Sequence, residues 1–163
     1  MIHKNIIKRG LIMKITNKWL KEKRACIEGI DWFNSQKETE AVKVLTKLIK
    51  EKKLDWANWT ICRVFIIKQR VQYAVFAAEQ VLHIFEKKYP NDNRPRKAIE
   101  AAKKCIKKNT EANRDAASAA SAAASAASAA YAANVAAYAA ASAAKKQLKL
   151  KILNYGLNLL KGG

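Results

Sequence analysis

The chain has 163 residues, with 32 Lys and Arg against 13 Asp and Glu and a formal net charge of +19 at pH 7. That length suits one domain with a real core, and the charge favours anionic partners: nucleic acid, nucleotides, acidic proteins or anionic lipid. Two His and three scattered cysteines (Cys26, Cys62, Cys105) leave no disulfide framework, zinc site or His-dependent triad to assemble, and they point to a reducing, cytoplasmic setting.

Residues 1–12, MIHKNIIKRGLI, interrupt each apolar stretch with Lys or Arg and lack a small-residue cleavage site. They read as an N-terminal extension, open to disorder, ahead of a single domain over 13–163. Helical periodicity recurs along that domain, whereas period-two alternation and NG or DG turns are missing. The expected fold class is all-α, a compact multi-helix bundle.

Thr16 or Asn17 caps a first predicted helix through KWLKEKRACIEGIDWF, with Trp19, Cys26, Ile30 and Phe33 as apolar contacts. Gly29 within it permits a break or close packing. A second helix is predicted over 39–50, with Val42, Val44, Leu45 and Leu48 as its inward stripe. Asp55 is the expected cap of DWANWTICRVFI, in which Trp56, Trp59, Val64 and Phe65 supply core bulk around the smaller Cys62. The run RVQYAVFAAEQVLHIFEKKY is apolar on almost all sides from Val71 to Phe85, so it reads as the central buried helix, with His83 a satisfied core histidine. KKYPNDNRPRK makes a turn, and the next helix starts near Pro95, whose missing N–H suits a first turn.

TEANRD leads into residues 116–144, AASAASAAASAASAAYAANVAAYAAASAA, of which 20 are Ala and none is charged. The block is long enough to cross a bilayer, but Ala is barely apolar and Ser and Asn recur, so no membrane span is expected. Ala has the highest helix propensity and loses no side-chain entropy, which makes this a helix rather than disordered low complexity. Ser118, Ser121, Ser125, Ser128, Tyr131, Val135, Tyr138 and Ser142 fall every three or four residues, along one helix stripe. Either one long helix or an antiparallel pair bent near Asn134 fits, and compactness favours the pair. Its small side chains let neighbours approach to about 8 Å.

In DNRPRK, three cations, Arg94, Arg96 and Lys97, crowd a helix start, where the macrodipole is positive and each misplaced charge costs about 0.3–1 kcal/mol. Two accounts stay open: Asp92, Glu100 or a buried Glu absorbs them, or helix N–H groups and an Arg fork hold a phosphate or carboxylate. Glu79, inside FAAEQVL, is expected to be a buried structural charge paired with Arg63, Arg94 or Arg96, with Asp92 as a second structural charge. Trp56, Trp59, Tyr73 and Tyr89 lie near Arg63 and Arg70 in sequence and offer a stacking surface for bases, although core packing is the default for both Trp. Lys103, Lys104, Lys107 and Lys108 form a basic face, either plain solvated surface or a phosphate track. A P-loop, HExxH, GxSxG and zinc spacing are all absent from the sequence, so neither catalysis nor a metal or cofactor is expected.

The segments ACIEGIDWF, DWANWTICRVF and YAVFAAEQVLHIFEKKYPNDNRPRKAIEAA, with the Ala-rich block, resemble the bacterial immunity-protein family built on an immunity-protein-five-like domain, over about residues 14–160. The resemblance implies neutralisation of a cognate toxin and brings no catalytic residues with it. Ser and Tyr stand here where Arg usually punctuates the family's Ala repeats.

The first functional reading is therefore a non-enzymatic binding protein that inhibits a protein toxin or defence effector. A second is a phage-type counter-defence module in which Arg63, Arg70, Arg94 and Arg96 hold the phosphate of a nucleotide signal and Tyr73 or a Trp stacks on its base. A third is a basic RNA- or DNA-binding inhibitor of a nucleic-acid-guided nuclease.

Overall fold

The computed structural model describes residues 13–108, 111 and 142–162. The expectations for residues 1–12, and for the path of the Ala-rich block and its stripe up to residue 141, lie outside the described residues. Within them every regular element is a helix, so the fold class is all-α. Contacts divide the chain into two compact units, Met1–Val64 and Phe65–Gly163.

The first unit contains α1 (Asn17–Glu22), α2 (Ile27–Ser35), α3 (Ala41–Lys50) and α4 (Leu54–Val64). Thr16 caps α1, its hydroxyl accepting the Trp19 N–H at 3.1 Å. The predicted single helix through Phe33 is in fact two helices, and the break falls at Arg24, not Gly29. Arg24 sits in the left-handed region at φ 57°, its N–H donating to the Lys21 carbonyl at 3.0 Å while the Ala25 N–H donates to the Leu20 carbonyl at 2.9 Å. This is a Schellman ending with Arg in the place glycine usually fills, which hides the stop from sequence patterns. Gly29 instead lies inside α2, where an added Cβ would come within 3.2 Å of the Cys26 Sγ.

An isolated antiparallel bridge joins Lys14 to Glu40. The Ile15 N–H donates to the Thr39 carbonyl at 2.7 Å and the Ala41 N–H to the Met13 carbonyl at 2.9 Å, so α3 begins only at Ala41. Val44, Leu45 and Leu48 are buried as expected, and α3 packs on α4. The three-residue α3–α4 connection repeats the Schellman geometry, with Lys52 at φ 60° and the Lys53 N–H donating to the Leu48 carbonyl at 2.9 Å. Since α4 starts at Leu54, Asp55 occupies the first turn rather than the cap, where a carboxylate is favoured by the macrodipole. The inward face of α4 is Leu54, Ala57, Thr60, Ile61 and Val64; Trp56 and Trp59 are half-exposed, contrary to their expected core role. Positions 57 and 61, spaced by one turn, claim the core side, and Trp56 and Trp59 fall beside that stripe.

The second unit is built on α5 (Ile67–Lys88), against which α6 (Arg94–Lys107) and α7 (Ser142–Leu160) pack. Both run antiparallel to α5. Glu86 pairs with Arg96 and Glu79 with Lys103, pairs one heptad apart on both helices. On the other flank the Gln69 side-chain amide donates to the Leu159 carbonyl at 2.9 Å, and Phe76 stacks on Tyr155 with centroids 3.9 Å apart at 11°. Leu153, Leu157 and Leu159 of α7 and Ala98 and Ile99 of α6 are buried. The central position of α5 matches its apolar sequence, but its full burial does not hold: Tyr73 and Val75 are buried, much of the rest is half-exposed, and His83 is exposed. The two described helices cover only part of its circumference.

Candidate functional site

The start of α6 follows a turn in which the Asp92 N–H donates to the Tyr89 carbonyl at 3.1 Å. Pro95 is in the first turn, and Arg94 and Arg96 flank it. Arg94 donates through Nε and Nη2 to Asp92 Oδ1 at 2.9 Å and Oδ2 at 2.6 Å, and its backbone N–H adds a bond to Oδ1 at 3.1 Å. Arg96 donates through Nε and Nη2 to the two Glu86 oxygens, both at 2.7 Å. Each guanidinium fork is thus filled bidentately by a carboxylate of the same chain. The Arg94 side-chain bonds, then its backbone N–H, pull the Asp92 carboxyl down to about 2. The same pairing raises Arg94, and the Glu86 bonds raise Arg96. Acids thus compensate both arginines of this cluster.

The partners differ in part from those expected. Asp92 serves Arg94, but Glu86, which the sequence reading passed over, serves Arg96. Glu79 pairs with Lys103 instead of Arg63, Arg94 or Arg96, and its side chain is 37% exposed rather than buried. The antiparallel register explains both differences: position 86 of α5 lies opposite 96, so position 79, two turns away, lies opposite 103. The heptad spacing of the two glutamates was the signal available in the sequence. Asp92 is half-buried, and Lys97 is exposed beside the fork.

Arg70 belongs to the other end of α5. Its Nη2 donates to the Phe65 carbonyl at 3.1 Å, and the 16 residues between it and Glu86 span about 24 Å of helix. Tyr73 is buried edge-on against Phe65, centroids 5.4 Å apart, which withdraws its face from any base. Arg63, in the first unit, lies over the Trp59 ring at 4.0 Å and donates to the Trp59 carbonyl at 3.1 Å. Within the second unit, then, Arg70 and Tyr73 are not brought to Arg94, Arg96 and Lys97. The four lysines of α6 are exposed, Lys103 being held by Glu79.

The cavity that the sequence reading missed lies in the first unit. It is a cleft of about 320 Å³ walled by Trp32, Trp56 and Trp59, with buried Leu20, Val44 and Leu48 at its base. Arg24 and Cys26, both exposed, stand at its mouth. The walls are fixed. The Trp32 indole N–H donates to Glu51 at 2.7 Å, Trp32 and Trp56 rings lie 6.3 Å apart, and Trp19 meets Trp59 edge-on at 6.2 Å. Lys53 covers one face of Trp56 at 4.6 Å, as Arg63 does for Trp59. All four tryptophans of the chain fall between residues 19 and 59, and that clustering was the available clue. Among the described residues no His, Cys, Asp and Glu group could hold a metal ion, and no described helix is long and apolar enough to cross a membrane.

Residues 68–162 match the family described as "Imm-5 like putative immunity protein". The chain belongs to this family. The match spans more than half of the sequence and begins inside α5, so it coincides with the second unit, while the ACIEGIDWF and DWANWTICRVF segments lie outside the matched residues. No curated protein and no solved structure matches the chain.

Proposed function

We propose that this is a non-enzymatic immunity protein that acts in the cytoplasm by binding and neutralising a protein toxin or defence effector through its folded surface. The observation that carries the reading is the family match over the second unit. Charge supports a partner with an acidic face. Residues 65–163 hold 17 Lys and Arg against six Asp and Glu, and Lys97, Lys104 and Lys107 are exposed along α6. A surface of one dominant sign speeds encounter with the opposite sign and sets specificity more than it sets affinity. The nucleotide reading draws no such support, because both guanidinium forks at the α6 start are occupied by Asp92 and Glu86.

The test is affinity purification of the full chain from the organism that encodes it, followed by expression of the recovered protein alone and together with this one. A stoichiometric protein that arrests growth alone and is silenced by co-expression is the expected result. Recovery of nucleic acid without protein, or of a protein whose toxicity co-expression leaves unchanged, overturns the proposal.

A further inference from the structure

We propose that the Trp-walled cleft of the first unit binds a small organic anion, a compound of one or two aromatic rings carrying a carboxylate or sulfonate. The site lies outside the family-matched residues and does not depend on the immunity reading. Its volume of about 320 Å³ is within the range of small-molecule pockets, and its apolar walls with a few polar groups have the make-up of such sites. The ring chemistry follows from Trp32, Trp56 and Trp59, which are held in place by Glu51, Lys53 and Arg63 before any ligand arrives. Walls that need no ordering on binding lose little entropy, and aromatic faces and edges favour an aromatic guest.

The anion chemistry follows from Arg24. It occupies a left-handed position that glycine would fill with less strain, and it lines the cleft. It makes no ion pair among the described residues, unlike Arg94 and Arg96. Asp55, the carboxylate lining the same cleft, is engaged within the chain. A guanidinium held at an apolar mouth by a strained backbone is the group suited to fork onto a carboxylate or sulfonate.

The experiment titrates the purified full chain with indole-3-acetate and with naphthalene-1-sulfonate, followed by calorimetry and by the nitrogen-15 NMR signals of the Trp indole N–H groups, which report the first unit alone because all four tryptophans lie there. Saturable one-to-one binding is expected. Arg24→Gly, which suits the backbone, weakens both anions by about tenfold or more and leaves neutral indole-3-acetamide unchanged. On the unaltered protein the ligand slows iodoacetamide alkylation of Cys26 relative to Cys105, read by mass spectrometry, which keeps the test independent of any variant. No saturation below about 1 mM, equal loss for the neutral amide, or unprotected Cys26 overturns the proposal.

Discussion

Lys47 and Lys52 lie five residues apart, both exposed, yet substitution by Gly and Ala should rank in opposite order at the two positions. At Lys47, inside α3, Gly is worse than Ala by about 1 kcal/mol, the ordinary helix-interior penalty. At Lys52 the backbone is already left-handed, φ 60°, where a Cβ costs about 1–2 kcal/mol. Glycine relieves that strain but brings back about 0.5–1 kcal/mol of unfolded-state entropy. Taking the middle of each range, Lys52→Gly should be more stable than Lys52→Ala by about 0.75 kcal/mol. Comparing Gly with Ala cancels the loss of the lysine charge near the α3 C-terminus, which both variants share. Urea unfolding followed by Trp fluorescence reads the unit concerned, and with an m-value of about 2 kcal/mol per molar the midpoints should differ by about 0.4 M. A Lys52→Ala midpoint equal to or above that of Lys52→Gly would refute the Schellman account of this connection, and with it the same account of Arg24.

Leu153, 2% exposed on α7, should cost about 2–5 kcal/mol when cut to Ala, seen as a lower urea midpoint by far-UV circular dichroism; a loss under about 1 kcal/mol would contradict its place in the core. The Asp92 carboxyl, lowered from 3.8 to about 2, contributes stability above its unfolded value that disappears as pH falls from about 3.8 through about 2. Carbon-13 NMR should locate its midpoint near 2, and Asp92→Asn should remove that part of the acid dependence; titration at the ordinary value would show the Arg94 fork to be open. Glu86→Gln and Asp92→Asn together free both forks, so the double variant should elute from heparin at higher salt than the unaltered chain. A shift no larger than that of the control pair Glu22→Gln and Glu28→Gln, two exposed acids away from α6, would mean that the forks were not occupied.

The second unit was the more legible half. Ala, Val and Phe spread around α5, and the Pro, Asn and Asp turn ahead of Pro95, fixed two helices and their order before any contact was known. The acidic compensation at the α6 start was also legible in kind, since three cations at a positive helix end demand carboxylates nearby. Asp92 was legible as one of those acids, whereas Glu86 was not, because it meets Arg96 only once the antiparallel register is set. The first unit was less readable. Its two helix stops fall at Arg24 and Lys52, residues whose intrinsic preferences do not announce a left-handed turn, and the half-exposed Trp56 and Trp59 look like core residues to any hydropathy pattern.

Local propensity and periodicity therefore determined, unaided, that the described chain is helical and that Val44, Leu45 and Leu48 turn inward, because each depends on neighbours within a turn or two. Pairing of Glu79 with Lys103, the filling of the Arg96 fork by Glu86, and the opening of a tryptophan-walled cleft beside Arg24 were decided by the tertiary structure. Those features join side chains from different helices, and no property of either residue taken alone encodes the distance between them.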